Sequence, residues 1–136
     1  MAISEKFNVP IPDGFRIYEK EFDVAGLSYY RKPFLSILKK GQIEFGMQPD
    51  PKNKHDKNAI KVVGCRKGIF GRTVKHIGYL PSEISSKIHQ SGVLLNLCLR
   101  PKYLWVGDEG GLVFKIELMG PSEKYKTYES NKKGSK

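Results

Sequence analysis

The chain has 136 residues, of which 39% are hydrophobic and 11% aromatic, enough for one domain with a core and tails. Lys and Arg number 24 against 14 Asp and Glu, a net charge of +10 that favours anionic partners such as nucleic acid or a membrane surface; the bland alternative is a merely soluble surface. No stretch approaches 18 continuous apolar residues, which excludes a spanning helix, and Met1–Lys20 holds no apolar run of signal-peptide length.

Met1 to Lys20 reads as irregular, broken by Pro10, Pro12 and Gly14. Glu21 to Tyr30 reads as a strand carrying Phe22, Val24 and Leu27, with Gly26 marking a bulge or close approach. Pro33 opens a short helix whose Phe34, Ile37 and Leu38 share a face, and Gly41 stops it. Gln42 to Met47 is a second strand. A polar loop follows, Pro49-Asp50-Pro51-Lys52-Asn53-Lys54-His55-Asp56-Lys57-Asn58, and delivers the chain into a third strand, Ala59 to Val63. Proline and asparagine set such a turn, so the loop is rigid at its exit while presenting amide, carboxylate, imidazole and ammonium groups.

Gly64 to Thr73 is glycine-rich and basic and reads as a long turn. Val74 to Leu80 is a strand, Pro81-Ser82-Glu83 starts a helix ending near Gly92, and Val93 to Leu99 is a strand. Lys102 to Gly111 reads as a loop and Leu112 to Leu118 as the last strand. Beyond Gly120 the Lys, Ser, Glu, Gly and Asn content favours disorder. The expected organisation is therefore an irregular segment 1–20, a domain 21–120 and a basic tail 121–136. Six short strands and two short helices without regular alternation argue against a parallel sheet. They favour a mainly β fold, a small β-barrel that hides its edges by closure.

The charge is uneven. Between Asp50 and Lys75 eight basic residues face only Asp50 and Asp56, and between Pro121 and Lys136 five lysines face Glu123 and Glu129. The first window is a candidate electrostatic footprint and the second a solvated tail. Cys65 and Cys98 form no close-spaced pair, so no disulfide framework is expected, and a reducing, cytoplasmic setting fits (nucleoid-associated in a bacterium, nuclear in a eukaryote).

His55, His76, His89 and the two cysteines lie at no zinc spacing, and Lys52 and Lys54 stand where a calcium loop needs oxygen ligands; no cofactor is expected. The Gly64–Thr73 stretch lacks a phosphate-loop register, and no nucleophile elbow exists. Asp56 fits an Asx-type role in its loop. Single-strand binding needs a basic groove and aromatic faces on which bases stack. Tyr29-Tyr30-Arg31-Lys32 supplies both; on a strand the two tyrosines would point to opposite faces, one free and one packed. Tyr79, His55 and Trp105 are further stacking candidates, and Arg66, Lys67 and Arg72 are candidate backbone contacts.

Three blocks resemble one family. Phe22-Asp23-Val24-Ala25-Gly26-Leu27-Ser28-Tyr29-Tyr30 is similar to the opening of the HIRAN domain, Asp50 to Val62 to its DPxNxxDxNAIxV signature, and Ile77-Gly78-Tyr79-Leu80-Pro81 to its third block. The resemblance covers about Phe22 to Met119. It implies a modified OB-like β-barrel, found in helicase-like DNA-repair translocases and alone in bacteria and phages, that binds single-stranded DNA and captures a free 3′ end. By that similarity Tyr29 would stack on the terminal base, Asn53 would lie in the pocket, Asp56 would accept a bond from the 3′-hydroxyl, and Tyr79 would stand near the same pocket. His55 falls where an aromatic is often found, and Ser28 where DNA-binding eukaryotic members carry a basic residue. The turn between the third and fourth strands is expected to be enlarged. Lys54 and Lys57 complete the candidate nucleic-acid-binding set.

The sequence thus points to a non-enzymatic module for single-stranded DNA or 3′ ends in repair or fork processing, partnered by a helicase, nuclease or other repair protein. Alternatives are a protein-interaction module on the same fold and a metal-dependent nuclease using Asp50, Asp56 and a histidine.

Overall fold

The computed structural model describes residues 3–38, 43–68 and 71–134, the last four through their backbone alone. In chain order the elements are β1 (Ile3–Lys6), β2 (Phe15–Asp23), a 3₁₀ turn (Leu27–Tyr30), α1 (Arg31–Ile37), β3 (Ile43–Pro49), β4 (Ile60–Gly68), β5 (Gly71–Tyr79), α2 (Ser82–Ser91), a 3₁₀ turn (Leu94–Asn96), β6 (Cys98–Val106), β7 (Leu112–Pro121), a 3₁₀ turn (Ser122–Lys124) and α3 (Tyr125–Gly134). The fold is mainly β. Antiparallel strands form two sheets, ordered β1-β6-β7-β2 and β3-β4-β5.

The mainly β fold is as expected, but the count of elements differs from the six strands and two helices read from the sequence. The described residues hold seven strands and three α-helices, and the sheets do not close. After Asp23 the chain leaves the ladder; Ala25 makes an isolated bridge to Tyr79, and the backbone then winds into a 3₁₀ turn, so a continuous seam never forms. The sheets instead share a core. Phe45 of β3 meets Phe114 of β7 with ring centroids 4.7 Å apart, and Phe34 of α1 lies 5.8 Å from the same ring. Phe34 and Ile37 are fully buried, as their spacing on one helical face requires. Ile84 and Ile88 do the same for α2, which Gly92 ends at φ +69° with its N–H on Ile88 O.

Other boundaries also move. The segment before Glu21 is only partly irregular: β1 pairs with β6, β2 starts at Phe15, and between them Arg100 Nε donates to Val9 O at 2.7 Å. Gly64 to Thr73 is not an enlarged turn. Strands β4 and β5 run on to the pair Gly68–Gly71, so Gly64, Cys65, Arg66 and Lys67 belong to a long hairpin. Ile69 and Phe70, like the helix stop at Gly41 and the strand start at Gln42, lie outside the described residues. Lys102 to Val106 is strand, with the ladder irregular between Pro101 and Tyr103, where a proline cannot donate. After Gly120 the described residues finish β7 and form a 3₁₀ turn and α3 rather than a disordered tail. Tyr128 is 1% exposed; its hydroxyl donates to Glu19 Oε2 at 2.6 Å, its ring lies 5.1 Å from that of Tyr18, and burial pushes its pKa well above the usual tyrosine range.

Candidate nucleic-acid interface

The sheet β3-β4-β5 has one face on the core and an outer face whose exposure grows from the buried Val63 toward Lys67 and Arg72. Val62 and Gly64 face inward, and a Cβ on Gly64 would meet the Ile37 side chain at 3.2 Å. The register then puts Lys61, Val63, Cys65 and Lys67 of β4 on the outer face, opposite Tyr79, His76, Val74 and Arg72 of β5. His76 and Tyr79 are three apart and would ordinarily point to opposite faces. The register shift between Val62 and Val63 puts one extra residue into β5, and this bulge brings both rings to the same side.

The result is an aromatic cluster. Tyr30 stacks against His76 at 4.1 Å and meets Tyr79 edge-on at 6.1 Å, and the His76 and Tyr79 rings are 4.8 Å apart. Gly78 makes this closeness possible. A Cβ there would fall 2.5 Å from Val24 Cγ1 and 2.7 Å from Ala25 O. Without it, Ala25 N–H donates to Tyr79 O at 2.8 Å and Tyr79 N–H to Ala25 O at 2.9 Å, which clamps the tyrosine-bearing turn to β5. Gly26 enters the turn at φ +75°, a conformation that favours glycine.

Tyr29 and Tyr30 therefore stand on a 3₁₀ turn rather than a strand. Tyr30 is half-buried in the cluster, while Tyr29 is 88% exposed. One free and one packed tyrosine is the outcome anticipated from the sequence, reached by different geometry. Arg31 Nη1 donates to Gly110 O at 2.9 Å, tying α1 to the β6–β7 turn, and Lys32 is exposed. Beside the turn lies a cleft of about 390 Å³ lined by Asp23, Leu27, Ser28, Gly110 and Leu112 among others.

The polar loop closes the other side. Tyr79 donates its hydroxyl to Asp50 Oδ2 at 2.9 Å, and Asn53 Nδ2 donates to the Tyr79 hydroxyl at 3.3 Å. Burial, then the bond to Asp50, pushes the Tyr79 pKa up to about 12, so this phenol stays protonated at neutral pH. Asn53 Oδ1 accepts from the His55 N–H at 2.9 Å and the Asp56 N–H at 3.0 Å, and Asp56 Oδ1 accepts from the Asn58 N–H at 2.9 Å. Asn53 and Asp56 thus both organise the loop, as short polar side chains do in Asx turns. With its backbone so fixed, the loop exposes Lys54, His55 and Lys57.

The structure joins Tyr30, Asn53 and Tyr79 in one network and sets other candidates apart. Lys57 lines a separate apolar recess of about 250 Å³ with Ile88, Leu94 and Leu95. Arg66, Lys67 and Arg72 sit at the far end of the β4–β5 hairpin. Trp105 is on β6, its ring packed where Gly107 and Gly111 lack a side chain, rather than free to stack. Two members were missed. His76 was hidden by the bulge, which no residue pattern announces. Asp50 entered the sequence reading only as a possible metal ligand of the nuclease alternative, although its spacing from Asn53 permits both to meet one partner. His76 Nε2 lies 2.8 Å from Gly78 O, and burial holds its pKa below the ordinary value. Among the described residues, no three His, Cys, Asp or Glu side chains converge on a point that would hold a metal ion.

A family model described as the HIRAN domain matches residues 17–91, more than half of the chain. No curated protein sequence matches it. Solved structures similar to it include the crystal structure of the HIRAN domain of human HLTF (21% identity, 85% of this chain and 87% of that one, TM-score 0.48). An NMR structure of the HLTF HIRAN domain in its DNA-bound conformation is also similar (21% identity, 91% and 89%, TM-score 0.49).

Proposed function

Because the chain belongs to the HIRAN domain family, we propose that it is a DNA-binding module, without catalytic activity of its own, that recognises single strands and in particular their free 3′ ends. The observation that carries this reading is an exposed ring, Tyr29, on a rigid turn beside the Tyr30–His76–Tyr79 cluster and the Asp50–Asn53 loop. Tyr29 stacks on the terminal base, an interaction worth about 1–3 kcal/mol. Tyr30, already packed, keeps the platform from moving. Asp56 uses Oδ1 to hold its loop and offers Oδ2 to the terminal 3′-hydroxyl. Lys32, Lys54 and His55, all exposed, supply donors for phosphates. The setting is repair or fork processing, with a helicase, nuclease or other repair protein doing the remodelling.

Fluorescence anisotropy with oligonucleotides ending in a 3′-hydroxyl or a 3′-phosphate tests the reading. Tighter binding of the hydroxyl end is expected, with affinity falling as salt rises at a log–log slope of about −0.7 per neutralised phosphate. Equal affinity for both ends removes end recognition and leaves general strand binding. A second reading, a protein-interaction module, draws on the apolar recess edged by Leu95, which is 98% exposed. It predicts no salt-dependent DNA binding.

A further inference from the structure

We propose that a strand held by its 3′ end at the aromatic cluster continues across the outer face of β3-β4-β5 to Lys67 and Arg72, so that the affinity of this chain grows with strand length over several nucleotides. The inference rests on the DNA-binding reading above and adds a path, a direction and a length requirement. The register carries it. Tyr79, His76, Val74 and Arg72 follow one another along the outer face of β5, with Lys61, Cys65 and Lys67 beside them on β4, where Val63 is itself buried. From Lys61, paired with Tyr79, to Lys67 is six residues of strand, about 20 Å.

The two ends of this face differ in chemistry. Aromatic rings occupy the end beside the polar loop. At the other end Lys67 and Arg72 are direct cross-strand partners, both exposed, flanking a shallow recess of about 340 Å³ shared with Cys65 and Glu44. Like charges placed opposite each other work against the hairpin. The hairpin tip gains no burial from them, since Lys67, Gly68, Gly71 and Arg72 are all exposed. A phosphate between the two side chains removes that repulsion and gives the pair a use that folding does not. Glu44 is the acid on this part of the face, and it opposes two cations with one charge. Between the ends Val74 is an exposed apolar side chain, a surface over which a sugar or base can lie without competing for hydrogen bonds. A duplex cannot follow this route, because its bases are paired and its end would have to open to reach the rings.

The test uses the full chain, 3′-hydroxyl oligothymidylates from about 2 to about 12 nucleotides, and duplexes with 3′ tails over the same range, a span that brackets the short end of single-strand site sizes. For the native chain, affinity is expected to climb with length until the strand reaches the hairpin tip, at about 4–6 nucleotides, and then level off. In the double variant Lys67→Gln, Arg72→Gln the climb is expected to disappear, with long oligonucleotides binding about tenfold more weakly than to the native chain at low salt and the salt slope reduced by about 1.4. A climb of the same size in native and double-variant proteins overturns the path while end binding stands. A native affinity independent of length overturns it as well. No binding at any length overturns the DNA-binding reading itself, and the path with it. Both substituted side chains are exposed, so a double variant that unfolds at no lower temperature than the native chain separates lost binding from lost fold.

Discussion

The two ends of the outer face of β3-β4-β5 are built on opposite terms. At the loop end the polar atoms of the cluster are committed: Tyr79 to Asp50 and Asn53, Asn53 to two backbone N–H groups and His76 to Gly78 O, while Gly78 leaves room for the approach of Val24 and Ala25. At the hairpin tip two cations face each other across a ladder in open solvent. A committed network fixes positions to fractions of an ångström and suits discrimination between chain ends. Solvated cations on flexible stems supply charge without fixed geometry and suit affinity for any backbone. Substitutions within the committed network should therefore cost stability and selectivity together, and those at the tip should cost affinity without costing stability.

The sharpest way to break that contrast is Gly78→Ala. The added methyl would lie 2.7 Å from a backbone oxygen that has nowhere to go without losing the Ala25–Tyr79 bonds. Overpacking of this kind typically costs about 1–3 kcal/mol, and here the bridge is at stake too, so about 3 kcal/mol is expected in denaturant unfolding. A native midpoint in that variant would mean the turn is not held by this clamp. Next is Tyr29→Ala. With the ring 88% exposed, stability should stay within about 0.5 kcal/mol, while single-strand affinity should fall by about 1–3 kcal/mol. Unchanged binding would move the stacking site elsewhere. Tyr79→Phe removes the hydroxyl that donates to Asp50 and accepts from Asn53. Leaving those groups short of a partner should cost about 1–2 kcal/mol. A neutral result would mean that water replaces the phenol at once.

Much of the loop end was readable from the residues alone. The turn chemistry of Pro49 to Asn58, the helix stop at Gly92 and the buried faces of α1 and α2 follow from local rules. The tyrosine pair was identified, although its strand became a 3₁₀ turn because Gly26 takes a positive φ. What escaped depends on partners far along the chain. His76 joined Tyr79 only through a bulge whose extra residue, Ile77, is as apolar as any regular strand residue. The ends of the chain misled for a related reason. Lysines and serines around Tyr125 and Tyr128 gave a disordered composition, yet Glu19 accepts from Tyr128 and Arg16 lies 3.6 Å over the Tyr125 ring.

The loop end should also respond to pH in a way the tip does not. Burial, with a smaller push from Lys61, lowers the His76 pKa in the folded chain, opposed by the Gly78 carbonyl and Asp50. A histidine whose folded pKa lies below its unfolded value of about 6.5 takes up its proton more readily once unfolded. Stability is then complete above about 6.5 and declines as pH falls through that value toward the folded pKa. Unfolding midpoints between pH 7.5 and about 5.5 should show this decline in the native chain and less of it in His76→Phe. Equal slopes would assign the pH dependence to other groups.

The smallest expected effect has the opposite sign. Lys67→Gln removes one of two like charges held in direct cross-strand register, so it should stabilise the free protein by about 0.2–0.5 kcal/mol at low salt. Glu44 tempers the gain, since it shares the recess and already offsets part of the repulsion. The gain should fade in 1 M salt, where the screening length shrinks to about 3 Å. A substitution that strengthens the fold while weakening DNA binding is the signature of a surface kept for its ligand. Destabilisation by Lys67→Gln would instead make the tip cations part of the hairpin's own support, and the contrast between the two ends would not hold.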